Sequence, residues 1–402
     1  MEETKFYLIC TTPNEKNNSV RVSWHSDIEG SYLEFKKASS NEFIKVHPNS
    51  TVWSTKNYQN EGSYNENDSF FTKERYVLNT IITGINPNEK YIYHITDGIY
   101  SSLDKTFIID NKEDFSFFAF ADFQNEYNLD THILINEFIK NNPTVNLAVG
   151  CGDLVGSASV ENEYRFILDN SAFDNLVFAT STGDHEYWAT KEKPYRMYLR
   201  PYPYNHIFNN PKNGEMNTLN SSYYFIYNKV LFVFFDCGDS NTSKGEIFTN
   251  QIIWFNEIVK KEKNNYQYLI VLMHKSLYGS SSQDTGVSLN LKPLFSKVFE
   301  DNKVDLVISG HDHQYSRTYP LKNDRINENG TIYLDLGVTG NKRRFTDEVM
   351  KESLLHEKII DVKENSLALG SIISVTRKKI IIEIRDKKYN IVDKCEFFCK
   401  KN

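Results

Sequence analysis

The stretch VDLVISGHDH, residues 304–313, places two imidazoles one residue apart directly after a short apolar run. Such a run of aliphatic residues predicts a buried strand, so His311 and His313 are expected in the loop that leaves its carboxyl end. Four other apolar runs also lead to a carboxylate or an imidazole: FSFFAFA to Asp122, NLAVGC to Asp153, LVFATST to Asp184 and YLIVLM to His274. Because ligands of an open α/β sheet bind at the carboxyl ends of its strands, the five ends predict one shared site.

Aspartate and histidine are the ligand types that two divalent cations about 3.5 to 4 Å apart require, with one carboxylate bridging them and a water activated between them. In chain order the motifs read D-x-Q, GD, GDHE, H and GHxH. This order resembles the calcineurin-like metallophosphoesterases, whose usual signature is D-x-H, GD, GNH followed by Asp or Glu, H and GHxH. The resemblance covers residues 114–341 and is specific because all five motifs occur in order.

Three further features resemble the purple acid phosphatase branch of that family. They are an N-terminal β module, the helical pattern QIIWFNEIVKKE (residues 251–262) before the His274 strand, and the strand and glycine turn GTIYLDLGVTGN (residues 330–341). The resemblance implies hydrolysis of a small-molecule phosphate ester by a metal-bridging hydroxide at a binuclear centre. Phosphodiester specificity, or a catalytically weak phosphate- or ligand-binding protein on the same fold, remains the alternative.

The resemblance implies that seven residues hold two divalent ions: Asp122, Gln124, Asp153, Asp184, His274, His311 and His313. Asp153 would bridge both ions, Asp122, His313 and the amide oxygen of Gln124 would bind the first, and the other three would bind the second. Taken singly, an Asp after a strand is often a turn residue or a helix N-cap, but the full set favours ligation. For Gln124, ligation and a simple loop hydrogen bond both remain open.

Two adjacent residues of the GDHE motif receive catalytic roles from the same resemblance. His185 would hydrogen-bond the phosphate or protonate the leaving oxygen, and Glu186 would orient His185. His132, on a predicted helix, is expected to be an ordinary helix-face residue.

The chain departs from the family pattern at three positions. The purple branch has a metal-binding Tyr three residues after the GD aspartate, where this chain has Gly156, so we expect a colourless protein. Gln124 stands where the wider family has His, and this oxygen-rich first site favours Mn²⁺, Fe²⁺ or Mg²⁺, with Zn²⁺ as a further candidate. Asp184 stands where the family has Asn, which predicts no net formal charge for a site loaded with two divalent ions and hydroxide.

Composition is that of a folded globular protein, and 402 residues are enough for two domains. A net charge of −7 and a pI near 5.9 argue against a nucleic-acid partner. No apolar run approaches the ~20 residues of a membrane span, so membrane insertion is not expected. The start lacks signal-peptide features, which predicts a cytoplasmic protein if Met1 is the native start and a secreted one if Met1 was added to a mature form.

Strand and helix patterns divide the chain at about residue 111. Residues 1–111 carry roughly seven short strands, which predicts a β-sandwich similar to the fibronectin type III-like module of purple acid phosphatases. Residues 112–402 alternate strands and helices, which predicts an α/β metallophosphoesterase domain, a two-sheet βαβ sandwich. Strands after residue 351 are expected at an edge of the same sheets.

Two segments are expected to lie near the site without regular structure. Residues 57–68 are predicted to form a long polar loop that overhangs it, and residues 187–220 form an aromatic insertion. For His206 in this insertion, packing and a place in the substrate pocket are both open. The sequence makes no prediction of oligomeric state.

Overall fold

The computed structural model describes residues 5–53, 74–124, 130–169, 171–189, 200–238, 245–281, 285–340, 353–360 and 368–398. The loop predicted at residues 57–68 lies outside these ranges. Within them the α-helices are α1 (Asp130–Asn141), α2 (Glu161–Leu168), α3 (Tyr202–Ile207), α4 (Gly245–Glu262) and α5 (Thr285–Asp301). Single 3₁₀ turns cover Ser171–Asn175 and Met216–Thr218. Among these helices we find none with the length and apolar character that crossing a bilayer demands.

The first part of the chain folds into two four-stranded antiparallel sheets. Its strands are β1 (Phe6–Pro13), β2 (Ser19–Ser26), β3 (Tyr32–Lys37), β4 (Ile44–Val46), β5 (Asn49–Trp53), β6 (Arg75–Thr83), β7 (Lys90–Thr96) and β8 (Lys105–Ile108). The sheet orders are β1-β2-β6-β5 and β4-β3-β7-β8. Buried side chains of both sheets, among them Val22, Leu33 and Phe107, belong to one apolar cluster. Strand β5 was not predicted because its sequence NSTVW is mostly polar and its first four residues are exposed.

Two larger sheets form the rest of the described chain. Their strands are β9 (Phe115–Phe120), β10 (Leu147–Cys151), β11 (Val177–Ser181), β12 (Tyr223–Tyr227), β13 (Val230–Phe235), β14 (Tyr268–Lys275), β15 (Leu306–Gly310), β16 (Tyr315–Thr318), β17 (Leu321–Lys322), β18 (Arg325–Ile326), β19 (Ile332–Leu336), β20 (His356–Ile360), β21 (Leu369–Val375), β22 (Lys379–Asp386) and β23 (Ile391–Phe398). One sheet has the order β11-β10-β9-β21-β22-β23, the other β12-β13-β14-β15-β19-β16-β20, and β17 and β18 form a separate pair. The late strands β21 to β23 therefore extend the first of these sheets, as predicted.

The central strands of both sheets are buried along almost their whole length. Every residue of β10, β11, β14 and β15 is buried, and these strands run parallel to their neighbours β9, β13 and β19. Continuous apolar runs are typical of parallel strands covered on both faces. The parallel direction brings the carboxyl ends of the strands in each sheet to one edge.

Alternate residues of these strands point into different apolar layers. On β9, Phe117 packs between the two sheets, whereas Phe118 faces a cluster that includes Leu134 of α1 and Ile167 of α2. On the other sheet, Val271 of β14 lies in a cluster with residues of α4 and α5. The order helix, sheet, sheet, helix confirms the predicted two-sheet domain.

Polar contacts fasten the first sheets to the rest of the protein. Arg75 of β6 pairs with Glu161 of α2 at 2.7 Å, and both side chains are buried. Arg21 Nε donates to the carbonyl of Asn209 at 2.9 Å, just beyond α3. The His206 ring stacks on Trp53 with 5.0 Å between centroids, so His206 packs at this junction. The described part of the insertion is thus a bridge between the two parts of the molecule.

The Arg75–Glu161 pair generates a stability prediction. Glu161→Gln keeps the shape of the side chain but leaves the guanidinium without its buried counter-charge, so we expect a loss of about 3–5 kcal/mol in the free energy of unfolding. Urea unfolding measures it. The control Glu137→Gln breaks the exposed pair with Lys140 and should cost no more than about 1 kcal/mol. Equal losses in the two variants would contradict the proposed fastening.

Candidate metal centre

The five predicted loops meet where the carboxyl edges of the two large sheets face each other. Asp122 follows β9, Asp153 follows β10, Asp184 follows β11, His274 is the next-to-last residue of β14, and His311 follows β15. All except Asp184 are buried residues. The structure therefore brings together side chains that lie up to 189 positions apart, at the edge where the strand pattern predicted them.

Two groups of possible metal ligands share one carboxylate. Donor atoms of Asp122, Asp153 and His313 lie within 4.8 Å of one another, and so do those of Asp153, His274 and His311. Asp153 thus stands in the position that a bridging ligand between two cations needs.

Four of these residues adopt backbone angles that side chains usually avoid. Their φ values are 51° at Asp122, 52° at Asp153, 70° at His311 and 54° at His313. A non-glycine residue in this left-handed region costs of order 1–3 kcal/mol and is concentrated at functional sites. The turn it makes directs each side chain back over the end of its strand.

Glycines of the motifs make room for these side chains. A Cβ on Gly183 would collide with the carboxylate of Asp153, and one on Gly310 would collide with that of Asp122. Gly152 has a φ of 78°, and its Cβ would lie 2.7 Å from the backbone nitrogen of Gly183. The glycines in GD, GDHE and GHxH are required because the backbone passes so close to the ligand side chains and to neighbouring backbone that a Cβ atom has no room.

Two buried ligand-type atoms face other charged side chains of the site. His274 donates its Nδ1–H to the Cys151 carbonyl at 2.7 Å, which turns Nε2 toward Asp153 Oδ1, 3.3 Å away. Oδ1 of Asp122 likewise lies 3.0 Å from Nε2 of His313, and within the described residues neither the His274 Nε2 nor this Oδ1 forms a hydrogen bond of good geometry. A backbone carbonyl on the far nitrogen is how proteins orient a metal-binding imidazole, so the donor set fits divalent ions.

The electrostatics of the site also favour a cation. Burial alone lowers the pKa of His274, but the carboxylate of Asp153, supported by Asp122 and Asp184, outweighs it and raises the pKa to about 10. The negative charges therefore hold a proton on the ring when no metal is bound. A metal ion must displace that proton, so metal and proton compete for Nε2.

His185 presents one ring nitrogen to the same space. Its Nδ1–H donates to the Gly156 carbonyl at 2.7 Å, and its Nε2 lies 3.8 Å from Asp153 Oδ2. The ring rests against the Trp188 indole with 3.8 Å between centroids. With Nδ1 carrying a hydrogen, Nε2 is the ring atom that faces the carboxylate of Asp153. Trp188 was not predicted, because one aromatic residue in an aromatic insertion gives no distinct signal.

The structure gives Glu186 a different task from the predicted one. Its carboxylate accepts hydrogen bonds from the backbone N–H groups of Gly183, Asp153 and Leu154, at 2.6, 2.9 and 2.8 Å. Burial and the neighbouring Asp153 raise the pKa of Glu186 to about 8. Glu186 therefore ties the GDHE loop to the GD loop, while the Gly156 carbonyl orients His185.

Gln124 contacts the carboxylate of Asp153, the predicted bridging ligand. Its amide Nε2 donates to Asp153 Oδ2 at 2.7 Å, and its Oε1 is buried with no hydrogen bond inside the described ranges. The loop hydrogen bond considered for Gln124 is thus present. Ligation through Oε1 stays a prediction.

Asp184 has a partner that the sequence reasoning missed. Lys275 Nζ lies 2.7 Å from Asp184 Oδ1, and Asp184 Oδ2 lies 3.4 Å from His311 Nδ1. Burial raises the pKa of Asp184, but His311 and Lys275 outweigh it and hold the pKa below its ordinary value. The prediction of a site without net charge counted Asp184 but not Lys275, which places one further positive charge beside the site. The available signal was a lysine at the end of the apolar run YLIVLMHK.

Comparison with known proteins agrees with this geometry. The family model described as calcineurin-like phosphoesterase matches residues 115–315, which is half of the chain. The chain belongs to the calcineurin-like phosphoesterase family. It is 26% identical to a phosphoenolpyruvate phosphatase of Allium cepa over 192 residues, 44% of this chain and 38% of that protein. It is 27% identical to purple acid phosphatase 1 of Ipomoea batatas over 142 residues, 30% of each protein.

The calcineurin-like fold is also seen in a purple acid phosphatase from yellow lupin (Lupinus luteus) seeds. That structure matches with a TM-score of 0.75 at 14% identity, covering 98% of this chain and 74% of the other. The chain is thus similar to purple acid phosphatases in sequence over part of its length and in fold over nearly all of it. The chain spans only 30 to 38% of the length of the two curated relatives named above.

The residue at position 156 generates a spectroscopic prediction. Gly156 contributes its backbone carbonyl to His185, and it has no phenolate to bind iron. Protein reconstituted with iron is therefore expected to show no strong absorption band in the visible range, recorded by absorption spectroscopy. A strong band would mean that another residue supplies a phenolate to the centre.

Proposed function

We propose that this protein is a binuclear metal-dependent phosphoesterase that hydrolyses small-molecule phosphate esters. The observation that carries the proposal is the pair of donor groups that share Asp153, lined by a buried His274 Nε2 and an Asp122 Oδ1 without hydrogen bonds in the described ranges. Membership of the calcineurin-like family supports the same reaction class.

Different residues would bind the metal ions and donate the proton. Asp122, Asp153 and His313 would hold the first ion, and Asp153, His274 and His311 the second. When bound, such ions supply Lewis-acid stabilisation of phosphoryl oxygens and acidify water. His185, with Nδ1–H held by a carbonyl, would deliver a proton from Nε2 to the leaving oxygen.

The donor chemistry also bears on metal identity. The first group offers two carboxylates and one imidazole, with Gln124 beside them as a further oxygen donor. Oxygen-rich sites suit Mn²⁺, Fe²⁺ or Mg²⁺, and the imidazoles keep Zn²⁺ a candidate. We also propose that the two N-terminal sheets form a fibronectin type III-like sandwich within residues 1–111, with the catalytic domain in residues 112–402.

A second candidate is a catalytically weak phosphate- or ligand-binding protein on the same fold, and phosphodiester specificity is a variant of the first. Gln124 favours the weak-binding alternative. Its amide Nε2 donates a hydrogen bond to Asp153 Oδ2, an oxygen that the proposed bridge would otherwise offer to a metal ion. Metal analysis of the purified protein, together with turnover of p-nitrophenyl phosphate and bis(p-nitrophenyl) phosphate, distinguishes a phosphomonoesterase, a phosphodiesterase and a binding protein. About two ions per chain with turnover supports an enzyme, and the preferred ester identifies its type.

Asp153, the proposed bridging ligand, provides a sharper test of the proposed function. Asp153→Asn replaces a charge shared by two cations with a neutral amide, so activity is expected to fall by several orders of magnitude with loss of at least one ion. Mass spectrometry of metals and ester turnover measure both. As a control, Asp305 is equally buried but accepts from the Leu269 backbone at the opposite end of β14, so Asp305→Asn should retain both ions. Two ions and near-normal turnover in Asp153→Asn would refute the bridge.

The role of His185 predicts a dependence on the leaving group. General acid catalysis contributes typically about 10²–10⁴-fold, so His185→Ala should slow alkyl esters by roughly that factor and activated aryl esters far less. Steady-state rates over a series of leaving groups give the comparison. His132→Ala, on α1 and bonded to the Phe166 carbonyl, should change neither rate. A uniform loss over the series would instead indicate that His185 binds phosphate.

A further inference from the structure

Lys275 is a buried cation beside the candidate metal centre. It ends strand β14, directly after His274, and its side chain is 1% exposed. Its ammonium lies 2.7 Å from Asp184 Oδ1, whereas the second oxygen of Asp184 is 3.4 Å from His311 Nδ1. Asp184 therefore stands between a fixed positive charge and a predicted ligand of the second ion.

A buried ammonium is stable only with a counter-charge close to it. The three residues whose donor atoms cluster at the second position are Asp153, His274 and His311, and Asp184 is outside both clustered groups. A carboxylate paired with an ammonium attracts a metal ion less strongly, because the positive charge of the ammonium repels the cation. Asp184 is thus placed as the counter-ion of Lys275 more than as a ligand.

We propose that Lys275 is a positioning residue that draws the carboxylate of Asp184 away from the second metal ion and sets the charge of the site. This inference rests on the proposed binuclear function. Asp184 and Lys275 together are neutral, so the loaded centre keeps one net positive charge for a phosphate dianion. The second ion is then held by three residues and binds more weakly than it would with four.

A double-mutant cycle tests the pair with two readouts other than turnover. The variants are Lys275→Met, Asp184→Asn and the two combined. Isothermal titration of the metal-free protein with Mn²⁺ gives the affinity of each ion. Titration of the Mn²⁺-loaded protein with inorganic phosphate gives the affinity for the anion.

The two single variants are expected to change metal affinity in opposite directions. Asp184→Asn removes the negative charge that faces the ammonium, so the positive charge beside the second ion increases and the affinity for that ion should fall by about 10- to 100-fold. Lys275→Met frees Asp184 for ligation, so the second ion should bind more tightly, while phosphate should bind at least about tenfold more weakly. The double variant has no unpaired charge and should return to within about threefold of the wild type in both affinities.

Lys292 and Asp324 provide a matched control pair. Their charged groups are 2.6 Å apart, but both side chains are more exposed and neither belongs to the centre. Lys292→Met and Asp324→Asn should leave Mn²⁺ and phosphate affinities unchanged. A thermal melt of each metal-free variant establishes that it is folded.

The outcomes separate this inference from the function on which it rests. If the wild type binds two Mn²⁺ ions but Lys275→Met neither tightens the second ion nor weakens phosphate binding, the pairing role of Lys275 is refuted and the proposed function stands. If the wild type binds no Mn²⁺, both are refuted. Should Lys275→Met fail to fold, the double variant decides, since weakened phosphate binding there would overturn the charge-setting role.

Discussion

Three carboxylates, those of Asp122, Asp153 and Asp184, are gathered in one largely buried space between two sheets. Negative charges that lie close together in a buried space repel one another strongly. The three carboxylates therefore stay together only with positive charge among them. The imidazoles and Lys275 supply part of it, and two divalent ions would supply the remainder. The structure surrounding the centre can be understood as the means of holding these carboxylates together.

The backbone bears much of the cost of that arrangement. Left-handed conformations at Asp122 and Asp153 aim both carboxylates inward, and Glu186 binds the GD and GDHE loops together through three backbone amides. Rigid strands buried on both faces give these loops fixed ends. A ligand set held this firmly loses little conformational entropy when it binds metal.

The two N-terminal sheets stabilise the centre indirectly. Glu163, near the start of α2, accepts from the backbone nitrogen of Gly156, whose carbonyl orients His185. The same helix carries Glu161, which pairs with Arg75 of the N-terminal sheets. One short helix therefore links the packing of the two parts to the orientation of a predicted catalytic residue.

The sequence by itself determined the strand ends and the ligand types, because apolar runs followed by Asp or His have a local pattern. It therefore predicted the two-sheet domain and the seven residues that the structure places around one site. It missed β5, whose sequence is polar and which joins its sheet by pairing with β6. It also predicted that Glu186 orients His185, whereas Glu186 accepts hydrogen bonds from the backbone. Only the tertiary structure decided that Lys275 neutralises Asp184. These residues lie 91 positions apart, and the pairing of two buried charges depends on distance in space, which no local pattern specifies.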